Sequence, residues 1–138
     1  MNRAIMLLVC VAGLAVDARA GSCAGDPGYT LTIPDFIGIG EPFDVCATAP
    51  AGSQVFLLAS LGQGPLNTPY GSLCLDFPFV ALVTFVMPGA GQMCFRPTLP
   101  CDRNALGLTI YLQFVALGPQ NGISNQDATT IIDNGRCP

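Results

Sequence analysis

The sequence predicts an all-β chain: an antiparallel β-sandwich, Ig-like or jelly-roll-like, of about eight short strands stapled by disulfides. Three observations carry this. Residues 106–117 place Leu106, Leu108, Ile110, Leu112, Phe114 and Ala116 on one parity, and Gly107, Thr109, Tyr111 and Gln113 on the other. A period of two is that of a strand with one face on a core and the other facing out. Turn signals rich in Gly and Pro recur along the chain at the spacing of a sandwich, with no amphipathic helix between them. The cysteines beyond the N-terminal apolar run are even in number.

The elements follow in order. Tyr29, Leu31 and Ile33 alternate with Thr30 and Thr32 as a short strand, which Pro34 ends or confines to an edge. Gly38, Gly40 and Pro42 form a turn region, and Phe43, Val45 and Ala47 line one side of a second strand over 43–48. Residues 50–53 turn the chain. Residues 55–61 are apolar on both parities, and residues 62–71, with Gly62, Gly64, Pro65, Asn67, Pro69 and Gly71, make the longest loop. A strand over 73–77 puts Leu73, Leu75 and Phe77 on one side. Residues 79–87 are nearly all apolar and bracketed by Pro78 and Pro88, which predicts a strand buried on both faces, the run being short for a helix. Short strands are expected over 92–96 and 129–133, with a polar loop over 118–127.

Two regions are assigned: a signal peptide over 1–20 and a single β-sandwich domain over 21–138. Asn2 and Arg3 give a basic start, residues 4–16 an apolar run, and Ala18 and Ala20 the small residues a signal peptidase reads. The run falls short of the roughly 20 residues a membrane span needs. A secreted or extracytoplasmic location follows, in the periplasm or at the cell surface, with no membrane insertion. Once Cys10 leaves, Cys23, Cys46, Cys74, Cys94, Cys101 and Cys137 remain, read as three disulfides. No C-x-x-C pair and no histidine is present, so a metal site and a cofactor are not expected. Cys46, Cys74 and Cys94 lie on the parity opposite their strands' large apolar residues, which predicts bridges between neighbouring strands or to loops, not across the core. Connectivity stays open; a clip between Cys23 and Cys137 is the best single expectation.

Charge is scarce. Beyond residue 20 only Arg96, Arg103 and Arg136 stand against Asp26, Asp35, Glu41, Asp44, Asp76, Asp102, Asp127 and Asp133, with no lysine. Nucleic-acid binding and attraction to anionic lipid both need basic clusters, which are absent. Without histidine or lysine, the usual base of a serine or cysteine nucleophile and a Schiff-base amine are excluded. Asp76, Asp102 and Asp127 could form a carboxylate pair, although loop aspartates more commonly bond their own backbone. The stretch 121–127 offers oxygens but lacks EF-hand spacing. Tyr70 is the one tyrosine in a loop, a weak carbohydrate signal.

The segment from Gly107 through Tyr111 and Gln113 to Asn121-Gly122 and Ser124-Asn125 resembles a motif of secreted bacterial β-sandwich modules of uncharacterised function, often found at the C-termini of large exported repeat proteins. Ala49-Pro50-Ala51-Gly52 is a weaker second match. The resemblance covers about the last third of the chain and implies an extracellular sandwich with no assigned site. The expected function is therefore a secreted, non-catalytic binding or structural module of the cell exterior, not an enzyme. The alternatives are a small secreted hydrolase using paired aspartates, or a secreted inhibitor presenting residues 62–71. No catalytic residue is assigned. The partner is unknown; the apolar runs at 55–61 and 79–87 point to self-association or a cell-envelope protein, unless loops cover them.

Overall fold

The computed structural model describes residues 22–138; the signal peptide expected over 1–20 lies outside the described residues. Eleven strands are described, numbered here in chain order: β1 Thr30–Thr32, β2 Phe36–Gly38, β3 Val45–Thr48, β4 Gln54–Ser60, β5 Leu66–Thr68, β6 Gly71–Leu73, β7 Val80–Val86, β8 Gln92–Phe95, β9 Thr109–Leu117, β10 Gly122–Ile123 and β11 Asp127–Ile132. The excess over the expected eight comes from pieces of two or three residues: β2 in a predicted turn, β5 in the predicted longest loop, and β10 in the predicted polar loop.

The larger sheet runs β2-β11-β9-β4-β7, with β10 also paired to β9; the smaller runs β1-β3-β8, and β5-β6 form a hairpin. Pairing is antiparallel except between β11 and β2. The core lies between the two sheets. Val55, Leu57 and Ala59 of β4 and Leu112, Phe114 and Ala116 of β9 meet Leu31, Val45 and Ala47 of the smaller sheet, all buried. The even parity of β9 from Leu112 to Ala116 thus faces the core as the alternation requires.

The odd parity does not face water. Gln113 is fully buried and Val115 nearly so. This face of β4 and β9 is covered by a second cluster in which Leu58 and Val115 pack with Leu73, Leu75 and Ile123. Alternation in β9 reads as one wet face, but loop cover converts it to a second core. Burying a carboxamide unpartnered costs several kcal/mol, and Gln113 is satisfied at both ends. Its Oε1 accepts from Cys74 N at 2.8 Å and its Nε2 donates to Ser124 O at 2.8 Å. Ser124 Oγ accepts from Phe114 N at 2.9 Å. Asn125 then reaches the other sheet: its Oδ1 accepts from Leu31 N at 2.8 Å and its Nδ2 donates to Leu31 O at 2.9 Å. Asp127 Oδ2 accepts from Ile33 N at 2.9 Å. Side chains therefore replace a neighbouring strand along the free edge of β1. Gly122 is required here by close approach, since a Cβ would stand 2.3 Å from the ring of Tyr29.

The disulfides are Cys23–Cys74, Cys46–Cys94 and Cys101–Cys137. Cys46 and Cys94 are direct partners in the β3–β8 register, so this bridge ties neighbouring strands and does not cross the core. The expected Cys23–Cys137 clip is not formed. Cys23 lies beside the 123–126 segment, where Gln126 N donates to Cys23 O, and there it meets Cys74. Cys137 instead packs with Ile37, Ile39 and Ile131 in a third cluster and meets Cys101.

The two runs that are apolar on both parities divide. Residues 54–60 are covered on both faces, with the 62–71 stretch supplying cover through Leu66. The strand expected over 79–87 is instead an edge strand: β7 pairs β4 alone, and Val80, Leu82 and Val86 are 58%, 56% and 59% exposed. The expected strand over 73–77 is confined to its first residue, because from Cys74 onward the backbone bonds to Gln113 and Gly62.

Replacing Gln113 with leucine strands a buried N–H and a buried carbonyl. The expected cost is about 2–4 kcal/mol of unfolding free energy, read by denaturant titration, and a non-reducing peptide map of the wild type shows Cys23 with Cys74.

Candidate functional site

The outer side of the second core carries a groove. Phe56 and Leu58 of β4 and Val115 and Leu117 of β9 form its floor, with Phe56 and Val115 paired across the two strands. Thr68, Pro69, Tyr70 and Leu73 of the β5–β6 hairpin wall it, and Phe79 closes one end. The groove is shallow and open to solvent, with a volume of about 310 Å³. Carbon lines it almost throughout; the polar side-chain atoms along it belong to Thr68 and Tyr70, and no charged residue contributes.

The hairpin is held in place by its own chemistry. Thr68 Oγ1 donates to Gly71 O at 2.7 Å and accepts from Tyr70 N at 3.2 Å, closing the tip. Ser72 Oγ donates to Asn67 Oδ1 at 2.9 Å across the two strands. Gly71 has φ +130, and a Cβ there would lie 2.9 Å from Ile123 Cδ1, so a side chain would push the hairpin off the sheet. At its base, Leu73 is buried and Cys74 is tied both to Cys23 and to Gln113. Tyr70 stands at the rim, about half exposed. The expected inhibitory loop over 62–71 is thus largely one arm of a hairpin laid on the sheet.

A second depression of about 290 Å³ is lined by Ser60, Leu61, Gly62, Asp76, Phe77 and Pro78. Asp76 is its one carboxylate. Its Oδ1 accepts from Phe77 N at 2.9 Å, while Ser60 Oγ donates to Asp76 O at 2.8 Å. The other aspartates considered from sequence are similarly engaged. Asp102 caps the short 3-10 turn Arg103–Ala105 by accepting from Asn104 N at 2.9 Å. Asp127 accepts from Ile33 N and Ala128 N. In the 121–127 stretch, Asn121 Oδ1 accepts from Gly118 N and Asn125 Oδ1 from Leu31 N, so these oxygens face N–H donors. Among the described residues no group of three or more His, Cys, Asp or Glu side chains gathers where a metal ion could be held.

No family model matches the chain, and no curated protein matches it. Solved structures of similar shape include the superoxide reductase (neelaredoxin) from Ignicoccus hospitalis, at 15% identity and TM-score 0.49, covering 83% of this chain and 88% of that one. A point variant of the same protein gives 14% identity and TM-score 0.45, covering 85% and 88%. This corrects the expectation of a non-catalytic binding or structural module: the neighbours found are named for an enzymatic activity. At such low similarity the likeness concerns shape and brings no activity or residue role to this chain. The chain has no histidine, and its six described cysteines are all in disulfides.

The titration of Asp133 is displaced downward. The N–H of Gly135 and then the guanidinium of Arg103, whose Nη1 lies 2.9 Å from Asp133 Oδ2, hold its carboxyl below the ordinary 3.8. A carboxyl lowered in the folded state stabilises the fold above its unfolded value and loses that contribution as pH falls through the folded value. The thermal midpoint is therefore expected to stay level from about pH 8 to 5, where no histidine titrates, and to fall below about pH 4. In Asp133→Asn the acid fall becomes shallower; calorimetry across that range checks both.

Proposed function

We propose that this protein binds the hydrocarbon part of a small uncharged molecule, such as a medium-chain alcohol or ester, in the groove between the β5–β6 hairpin and the outer face of β4 and β9. The observation that carries this is the lining: nine residues, none charged, around a volume of about 310 Å³. That is at the lower end of the roughly 300–1,000 Å³ of ligand sites, which are mostly apolar with few placed polar groups. Apolar burial at roughly 25 cal/mol per Å² supplies affinity, and Tyr70 at the hairpin tip offers a hydroxyl that would orient a polar head. The hairpin's internal bonds support a preformed site, which lowers the ordering cost of binding. The chain's acidity disfavours an anionic head near the mouth.

The setting belongs to the same proposal. Three disulfides fit an oxidising compartment, and no described helix is long and apolar enough to cross a membrane. With the signal peptide expected over residues 1–20 and the resemblance of residues 107–127 to secreted bacterial sandwich modules, they support a secreted or extracytoplasmic protein.

Nile red is expected to gain fluorescence with the protein and to be displaced by decanol. Tyr70→Glu, which puts a charge at the exposed mouth, should weaken both about tenfold with an unchanged melting temperature. Because no carboxylate or amine lines the groove, affinity should not vary between about pH 5 and 8. Absence of dye binding, or equal binding by the variant, would overturn the reading.

A further inference from the structure

We propose that two copies of this chain associate through the outer edge of β7, strand against strand and antiparallel about a twofold axis, extending the larger sheet into its symmetry mate. Among the described residues β7 ends the sheet, with β4 as its sole ladder partner, so its other edge offers backbone groups for pairing. Natural edges are ordinarily guarded by charge, and this one has none: the sequence carries no charged residue between Asp76 and Arg96. Val80, Leu82 and Val86 stand more than half exposed along the seven-residue strand, while Val83 and Phe85 turn inward against the main core.

A bulge interrupts the β4–β7 register between Leu57 and Leu58 and leaves Leu82 as the additional residue on β7. Bulges commonly blunt an edge, but this one presents leucine, not lysine. Beyond it, Val83 to Val86 pair regularly with Leu57 to Gln54. That regular stretch is where a second strand would add, with Leu82 and Val86 flanking the new pair.

The occupant is argued from charge and symmetry. The chain is acidic, net −4 over its full length, so two copies repel wherever their carboxylates face. A charge-free edge is where like copies can approach. An antiparallel pair of identical strands is self-complementary and closes as a dimer, so a single edge suffices. The size of the contact sets its strength. A seven-residue strand is about 23 Å long, which buries much less than the roughly 800 Å² per partner of a standard stable interface. The dimer is therefore weak and concentration-dependent.

Sedimentation equilibrium over a wide concentration series, on the disulfide-intact protein, tests this. The apparent mass should rise from monomer toward dimer, and more so at high salt, where repulsion between acidic copies is screened. Leu82→Lys and Val86→Lys should each hold the protein at monomer mass with an unaltered circular dichroism spectrum, whereas Leu108→Lys, at an exposed leucine away from this edge, should still dimerise. Should one β7 variant unfold, the other carries the test. A monomer at every concentration, or a dimer untouched by both lysines, overturns the proposal; in that case the edge has no second copy as its occupant and an envelope partner would have to cover it. Dye binding in the groove is read separately and does not depend on either outcome.

Discussion

The outer half of this molecule depends on how one buried amide is satisfied. Gln113 sits in the middle of the central strand, with no exposure, on the face turned away from the main core. Its carboxamide needs a donor and an acceptor that the ladder does not supply. The N–H of Cys74 and the carbonyl of Ser124 fill those roles. Fixing Cys74 fixes the base of the hairpin, and fixing Ser124 brings Asn125 to the edge of β1. One side chain thereby couples the hairpin, the return loop and the second sheet. An apolar residue of similar size would pack there, but it would not specify which segments cover it.

This explains why the strand–loop pattern from Gly107 to Asp127 stands out in the sequence. The spacing of Gln113, Ser124 and Asn125 is the spacing of a structural network, and its loop oxygens accept backbone protons. A pattern of polar residues in a loop invites a ligand or a metal as its cause; here the cause is the closing of a sheet edge.

Legibility followed the kind of force involved. The alternation from Leu112 to Ala116 reports core burial directly, because side-chain direction in a strand is set locally. What covers the opposite face is set by segments distant in sequence, so Gln113 reads as outward when it is interior. The same limit applied to the two apolar runs. Residues 55–61 and 79–87 look alike in composition, yet one lies under the hairpin and the other at the sheet's edge, since strand order is a tertiary fact. Cysteine parity correctly kept the Cys46–Cys94 bridge off the core, while the partner of Cys23 depended on where the 123–126 segment docks. The groove was the least legible feature. Its lining comes from six separate strands and connections, and although the 62–71 loop, Tyr70 and the apolar runs were each singled out in the sequence, nothing there brought them together.

The bridges also bear on how the molecule withstands cutting. The exposed hairpin tip around Pro69 and Tyr70 is the kind of place where a protease first nicks a chain. Any cut between Cys46 and Cys74 falls inside both the Cys23–Cys74 and the Cys46–Cys94 loops. The two pieces would remain joined by two covalent links, one of them between paired strands, so that a nicked molecule keeps its sheets assembled and its hairpin stem anchored.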